Sequence, residues 1–64
     1  MKVHFPGGIC SEIPIEACSL EEVLYVLGLN PQEVIVSRNG AIIPEDSIVS
    51  DTDELRIHRV AHGG

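Results

Sequence analysis

The segment SLEEVLYVLGLNP, residues 19–31, decides the fold because it holds a helix together with signals for both of its ends. Ser19 and Glu22 form a capping-box pattern, in which each side chain satisfies an N–H group of the first turn. Apolar residues recur at helical spacing and form one stripe: Leu20, Val23, Leu24 and Leu27. Gly28 suits the left-handed residue that follows a helix, and the proline after it prevents continuation. We expect one amphipathic helix over 19–29.

Alternating apolar and polar residues predict a hairpin before the helix. Its strands are residues 2–5 and 9–16, and the Pro-Gly-Gly sequence between them has the residues that a tight turn requires. Ile13 and Ile15 should face inward. Pro14 cannot donate a hydrogen bond to a neighbouring strand, so this second strand belongs at an edge of the sheet.

Three further strands are expected after the helix. Residues 33–38 are rich in β-branched side chains, and 41–43 return after Asn39-Gly40, the strongest short hairpin signal. The acidic stretch 45–54 predicts a short turn of helix and a loop. The last strand, 55–60, should turn its leucine and isoleucine inward and can pair parallel to the first strand in the middle of the sheet.

The element order is therefore β-β-α-β-β-β. A helix with one apolar stripe must bury that stripe against a second layer, and the only other layer available is the sheet. The sequence thus predicts an α+β fold in which a single helix covers one face of a mixed sheet.

Length, composition and charge limit the classes of function. The 64 residues make one small domain, and 44% hydrophobic residues are typical of a folded chain. A formal net charge of −6 argues against nucleic acid as a partner and is compatible with a protein that carries a basic patch. The sequence has no apolar run of transmembrane length and no signal-peptide core, so we expect a cytoplasmic monomer that does not act at a membrane.

Other candidate sites in the sequence are weak. Cys10 and Cys18 stand at a spacing that matches no common zinc or redox motif, and we expect two buried, reduced thiols, with one disulfide as the alternative. His4 and His58 are expected to be solvated rather than metal ligands, and the acidic run around Asp53 to form a turn rather than a calcium loop. We expect no catalytic residue, no metal and no bound cofactor.

The C-terminal residues carry the strongest functional signal. Gly63 and Gly64 have no side chains, so this end is slim enough to enter a narrow active-site channel, with Ala61 and His62 behind them. Nothing in the sequence would hold this tail against the body, residues 1–60, and residues 60–64, if extended, could reach roughly 15 Å. A carboxylate is a poor electrophile, so chemistry at this end requires activation by another protein.

Several motifs together resemble the ubiquitin-like sulfur carriers, which have the β-grasp fold. They are LGLNP at 27–31, VxVxxNGxIxP at 34–44, DELxI at 53–57 and the terminal Gly-Gly. The resemblance covers essentially the whole chain, and NGxIxP together with Gly-Gly is its specific part. The family includes the thiamine-biosynthesis sulfur carrier, the small subunit of molybdopterin synthase and the ubiquitin-related modifiers of transfer-RNA thiolation.

The resemblance implies a carrier and not an enzyme. A ubiquitin-activating-type adenylating enzyme would use ATP to convert the Gly64 carboxylate into an acyl adenylate, and sulfur from a persulfide donor would then produce a thiocarboxylate. A biosynthetic enzyme would accept this sulfur for thiamine, molybdopterin or transfer-RNA thiolation. By family analogy the docking surface is the sheet face and tail, with these partner-binding residues: Arg56, His58, Arg59 and Val60.

Two alternative functions stay open. A ubiquitin-like protein modifier would join Gly64 to lysines of other proteins through isopeptide bonds. A β-grasp binding or regulatory module would carry an incidental tail. His62 stands where thiamine-type carriers often have glycine, which leaves the sulfur-transfer pathway undecided.

Overall fold

A computed structural model describes residues 1–60. The expected tail, Ala61, His62, Gly63 and Gly64, lies outside the described residues. The described elements are β1 (Lys2–His4), β2 (Cys10–Glu12), β3 (Cys18–Ser19), α1 (Leu20–Val26), β4 (Val34–Arg38), β5 (Ala41–Ile43), β6 (Ile48–Val49) and β7 (Glu54–Arg59).

Five of these strands form one mixed sheet in the order β2-β1-β7-β4-β5. The first and last strands run parallel, with Val3 opposite Leu55, and the other neighbours in this sheet are antiparallel. Parallel neighbours need a long crossover, which the intervening chain with α1 provides. The predicted α+β architecture, including the parallel pair in the middle of the sheet, is confirmed.

The core lies between α1 and one face of this sheet. Its buried residues are Met1, Val3, Leu20, Val23, Leu24, Val36, Val49, Leu55 and Ile57. Because successive strand residues point to opposite faces, the inward Leu55 and Ile57 turn Arg56 and His58 away from the helix. We call the face of the five-stranded sheet opposite α1 the open face.

The start of α1 is held by its own cap and by a distant loop. The Glu22 N–H donates to Ser19 Oγ at 3.3 Å, which is one half of the predicted capping box; the reciprocal bond to the Glu22 carboxylate is not formed among the described residues. Instead, the Leu20 N–H donates to the carbonyl of Ser47 at 2.8 Å and the Glu21 N–H to that of Glu45 at 2.9 Å. The orphan donors of the first turn are thus satisfied by tertiary contacts.

The end of α1 is a Schellman motif. Gly28 has a φ of 75°, its N–H donates to the Tyr25 carbonyl at 3.0 Å, and the Leu29 N–H donates to the Leu24 carbonyl at 2.8 Å. The predicted signal for the end of the helix, Gly28, is confirmed. The helix itself ends at Val26, earlier than predicted, because the residues that follow close the cap.

The second strand is shorter than predicted. It spans Cys10–Glu12 rather than 9–16, and it lies at an edge of the sheet as expected. Pro14 has no N–H, so regular pairing stops before it. Ile13 and Ile15 nevertheless pack against the core, which confirms their inward orientation.

The acidic stretch 45–54 contains a strand where a turn of helix was predicted. Ile48–Val49 pairs antiparallel with Cys18–Ser19 in a separate two-stranded sheet. Val49 is buried in the core, and this long-range packing selects the extended conformation. The predicted order of elements therefore gains two strands of two residues each.

The expectation of two buried thiols is wrong for Cys10, which is exposed on the edge strand β2. Cys18 is half-buried. Partial burial raises the pKa of the Cys18 thiol, and the nearby Glu22 carboxylate raises it further. This thiol therefore remains protonated at neutral pH and is a poor nucleophile.

The Schellman motif predicts a graded effect of substitution at Gly28. We expect Gly28→Ala to lower the free energy of unfolding by about 1 kcal/mol, because alanine is strained at positive φ, although the space around the new Cβ is open. Gly28→Asn should cost less, since asparagine adopts this conformation more readily. Urea unfolding measures both, and equal losses would contradict the assignment to backbone strain.

The same substitution, isoleucine to valine, should lower the free energy of unfolding by different amounts on the two faces of the sheet. Ile57→Val removes a methylene from a side chain that is 3% exposed and should lower the free energy of unfolding by about 1 kcal/mol. Ile42→Val removes the same group from a side chain that is 72% exposed and should change it by less than about 0.5 kcal/mol. Similar losses in urea unfolding would contradict the assignment of the faces.

Candidate functional site

The central strand β7 links the open face to the C-terminal residues. Arg56 and His58 are exposed on the open face, while the alternating Leu55 and Ile57 are buried. After the strand ends, the Val60 N–H donates to the carbonyl of Glu33 at 3.1 Å and fixes the last described residue beside the start of β4. The chain therefore leaves the body from a central strand of the sheet.

The structure separates the four expected partner-binding residues. Arg56 and His58 line one depression on the open face. Arg59 is paired with Val34, which packs against the core, so its side chain lies on the opposite, helix side of the sheet. Val60 follows the strand and is partly exposed.

The depression on the open face has a volume of about 600 Å³. Seven of the side chains that line it are His4, Ile35, Ser37, Ile42, Glu54, Arg56 and His58. They come from four adjacent strands, β1, β7, β4 and β5, and only the sheet register brings them together. An open depression of this kind suits a protein surface better than an enclosed small molecule.

One side of the depression is apolar. Ile35 lies opposite His58, and Ile42 lies opposite Ser37. Ile42 is among the most exposed large hydrophobic residues of the described chain. The sequence analysis did not single out these two isoleucines, although the signal is present: an inward Val34 and Val36 place Ile35 outward.

The other side of the depression is polar, and its charged groups partly cancel one another. The His4 ring hydrogen-bonds to the Glu54 carboxylate. This bond is the main cause that holds the pKa of Glu54 below its usual value. Desolvation by burial opposes it, and the charge interactions with His4, Lys2 and Arg56 lower the pKa further. Glu54 is therefore ionised at neutral pH and keeps the imidazole in place.

His58 is held by a nearly buried serine. Ser37 Oγ lies 3.1 Å from His58 Nε2, a hydrogen bond that fixes the imidazole over β4. Within residues 1–60 no third side chain bonds to His58 to orient it as a general base. The pair therefore positions a ring on the surface and lacks the arrangement of an activated nucleophile.

The acidic run around Asp53 is a structural turn, as expected. The Asp53 carboxylate accepts hydrogen bonds from the Ser50 N–H at 2.8 Å and from Arg38 at 3.3 Å. Over the described part of the chain, no three His, Cys, Asp or Glu side chains come together as ligands for a metal ion. In the same residues, no helix has the length and apolar character needed to cross a membrane.

Comparison with known proteins identifies the family. The family model of the ThiS family matches residues 10–64. This chain belongs to the ThiS family. It is also 32% identical to an uncharacterized protein of Archaeoglobus fulgidus, over 100% of this chain and 97% of that protein.

Two solved structures share the fold. A crystal structure of the thiamine biosynthesis protein ThiS from Geobacter metallireducens matches with a TM-score of 0.67 and 23% identity, over 100% of both chains. A solution structure of a thiamine biosynthesis protein from the same organism matches with a TM-score of 0.63 and 22% identity, over 100% of this chain and 88% of that one. These matches confirm the predicted β-grasp fold.

Family membership confirms the resemblance to the ubiquitin-like sulfur carriers. ThiS family proteins are sulfur carriers that serve as substrates of adenylating enzymes and are not enzymes themselves.

The low pKa of Glu54 predicts a pH-dependent effect of Glu54→Gln on stability. The pKa of Glu54 in the folded protein lies below the ordinary value of 4.5. The ionised carboxylate therefore stabilises the fold above pH 4.5. This stabilisation is lost as the pH falls through the pKa of the folded protein. Wild type and Glu54→Gln should differ in free energy of unfolding near neutral pH and converge in acid. A His4→Ala background should reduce this difference; an unchanged difference there would count against the His4 contact as its cause.

Proposed function

We propose that this ThiS family chain carries sulfur as a thiocarboxylate on Gly64. An adenylating enzyme joins the Gly64 carboxylate to the AMP part of ATP and releases pyrophosphate. The terminal sulfur of a persulfide donor then displaces AMP and forms an acyl disulfide. A second thiol attacks the donor sulfur of this disulfide, which releases the thiocarboxylate on Gly64 and leaves a disulfide between the donor and that thiol. ATP is bound by the partner, and the sulfur is cargo on this chain rather than a resident cofactor. The observation that carries the proposal is the family match, which extends through Gly64.

Residues 1–60 act in this proposal as the docking body and residues 61–64 as the segment that enters the partner's active site. The bond from the Val60 N–H to the Glu33 carbonyl supports this division, because it holds the body up to Val60. The four remaining residues span at most roughly 14 Å when extended. Gly63 and Gly64 place no side chain in the partner's channel. Ala61 and His62 precede them in the sequence.

Docking to the adenylating enzyme uses the end of β7. We assign partner contacts to Arg56, His58 and Val60, which lie within or directly beside this strand. Arg59, which was expected with them, turns to the helix side of the sheet, away from this contact. Since the same strand leads into the C-terminal residues, docking also sets where those residues begin. This positioning of a reacting group is how binding energy assists a chemical step.

The sulfur acceptor that we propose is the thiazole-forming reaction of thiamine biosynthesis, with the carrier acting in the cytoplasm. The ThiS family and the names of the two Geobacter metallireducens proteins support thiamine over molybdopterin or transfer-RNA thiolation. A sulfur-accepting biosynthetic enzyme is thus the second partner.

A side chain at Gly63 should block activation. We expect Gly63→Val to slow adenylation about 100-fold, because a misplaced reacting group costs a factor of this order. His62→Gly is the control and should retain activity, because it only removes a side chain. Exchange of pyrophosphate into ATP by the ThiF-like adenylating enzyme of the same organism measures both, and equal rates for Gly63→Val and wild type would contradict the proposal.

The intact mass of the protein from its native host, with fragmentation to locate the change, tests the chemistry directly. Sulfur in place of one oxygen at Gly64 is the expected result. Gly64 joined to lysines of other proteins would instead establish a protein modifier. A free terminus in cells that contain the adenylating enzyme, with function retained after deletion of Gly63 and Gly64, would establish a binding or regulatory module.

A further inference from the structure

The strand β2 lies at one edge of the five-stranded sheet, and its hydrogen-bonding pattern with β1 is fixed by the pair beyond its end. Met1 and Ile13 exchange two hydrogen bonds, one in each direction and both 2.8 Å long. Bonded and non-bonded pairs alternate along an antiparallel ladder. The next bonded pair is therefore Val3 with Ser11, which lie opposite each other in the register.

The two residues beside Ser11 in β2, Cys10 and Glu12, turn their backbone groups away from β1. The bond from the Phe5 N–H to the Ile9 carbonyl, at 2.7 Å, has the same phase and confirms the alternation. Within residues 1–60, no backbone group lies on the outer side of β2 to bond to Cys10 or Glu12. Two N–H groups and two carbonyls therefore form a row that a further β-strand can extend.

This row is complementary to itself. A second copy that runs antiparallel, with a two-fold axis at Ser11, places Cys10 of each copy opposite Glu12 of the other. Each of these two pairs exchanges two hydrogen bonds, so four bonds form and every outward group of β2 is used. Two-fold symmetry of this kind lets one surface serve both copies.

The side chains on the helix side of β2 suit the same register. Ser11 lies opposite the buried Val3, and Ile13 packs against the core, so Ile9 also points to this side. Ile9 is 64% exposed. The two-fold axis brings it opposite Ile13 of the other copy, so apolar side chains meet at both ends of the contact.

The other edge of the sheet, β5, is less suited to a second copy. Asn39 and Gly40 have positive φ values of 54° and 81°, so a two-residue turn joins β4 to β5, and the residues that flank it are bonded to each other. By the same alternation, Ile42 is the one residue of β5 that turns its N–H and carbonyl outward. Pro44, directly after the strand, has no N–H. This edge thus offers half as many outward groups as β2.

We propose that two copies of this chain associate through their β2 strands and join their sheets into one sheet of ten strands. The two-fold axis is perpendicular to the sheet, so the two open faces lie side by side and neither covers the other. The inference goes beyond the proposed function and does not depend on it, because the strands that it uses are remote from the C-terminal end of β7.

The contact is small, so the dimer is weak. It involves a few residues on each copy and buries far less than the roughly 1,600 Å² of a standard interface. We expect a dissociation constant between about 0.1 and 1 mM. The monomer expected from the sequence is then the main species at low concentration.

Charge sets the conditions under which the dimer forms. Glu12 is the one charged residue of β2, and Lys2 lies directly opposite it on β1, so the charge at the contact is offset. The remaining repulsion acts between two chains that each have a formal net charge of −6, and salt screens it. Dimerisation should therefore be tighter at about 1 M than at about 0.1 M sodium chloride.

Amide hydrogen exchange of the full chain, followed by NMR at roughly 0.05 and 2 mM protein, reports on the contact residue by residue. The outward amides of Cys10 and Glu12 should exchange about twofold or more slowly at the higher concentration. The outward amide of Ile42 on β5 is the internal control and should not change. No slowing at Cys10 and Glu12, or equal slowing at Ile42, would overturn the proposal.

A matched pair of substitutions tests the apolar contact. Ile9 is 64% exposed at the β2 edge, and Ile42 is 72% exposed at the β5 edge. Ile9→Lys should weaken dimerisation about tenfold, and Ile42→Lys, with the same change of charge, should leave it within about twofold of wild type. Sedimentation equilibrium measures both, with thermal unfolding as the check on folding. Equal weakening by the two substitutions would contradict the assignment to β2.

Cross-linking at the two-fold axis tests the register. Ser11 and its copy form a non-bonded pair with Cα atoms roughly 4.5 Å apart, which a disulfide can span. In a chain with Cys10→Ser and Cys18→Ser, Ser11→Cys should give a disulfide-linked dimer with oxidised glutathione, which is reduced as the two thiols are joined. Ile42→Cys in the same background is the control and should stay monomeric. Equal cross-linking of the two variants would overturn the register.

The native Cys10 provides the opposite expectation. In the proposed register the two Cys10 Cα atoms are roughly 8 Å apart, because they lie on either side of the axis, and this is too far for a disulfide. Wild type should therefore form far less disulfide-linked dimer than the Ser11→Cys variant under the same conditions. Cross-linking through Cys10 as fast as through that variant would show a different register and would contradict the proposal.

Discussion

The parallel pairing of β1 with β7 is the contact on which the rest of the structure depends. It joins the first strand of the chain to the last across more than 50 residues of sequence, with Val3 and Leu55 opposite each other and fully buried. The pair forms the middle of the sheet on which α1 packs. It also turns Arg56 and His58 to the open face, and the described chain ends at Val60, directly after this central strand. The core and the open face are therefore positioned by one interaction.

Because side chains alternate along β7, the residues that stabilise the core and the residues that we propose for recognition lie on opposite faces of the same strand. Leu55 and Ile57 hold the sheet against the helix, while Arg56 and His58 remain available to a partner. In the proposed function, a strand that presents the docking residues also fixes the starting point of the chain that reaches the partner's active site. A small carrier gains from this arrangement, because it has few residues with which to both fold and be recognised.

In the proposed function the open face is a contact surface of modest size, which suits a carrier that must leave one enzyme and meet another. Weak, transient complexes have small interfaces, and their specificity comes from charge and shape rather than area. Here the apolar part consists of a few exposed isoleucines, and the histidines are held in place by Glu54 and Ser37. The acidic character of the other surfaces limits nonspecific association with other acidic macromolecules.

Local signals in the sequence determined the helix with its glycine cap, the Asn39-Gly40 hairpin and the inward positions of the last strand, since each depends on neighbours within a few residues. The motifs were also sufficient to recognise the sulfur-carrier family. Tertiary structure alone decided that Ile48–Val49 forms a strand, because its partner lies about thirty residues away and its own sequence favours a turn. It likewise decided that Ile35 and Ile42 line one depression together with Arg56 and His58. Those relations follow from the register between strands distant in sequence, and no local pattern encodes that register.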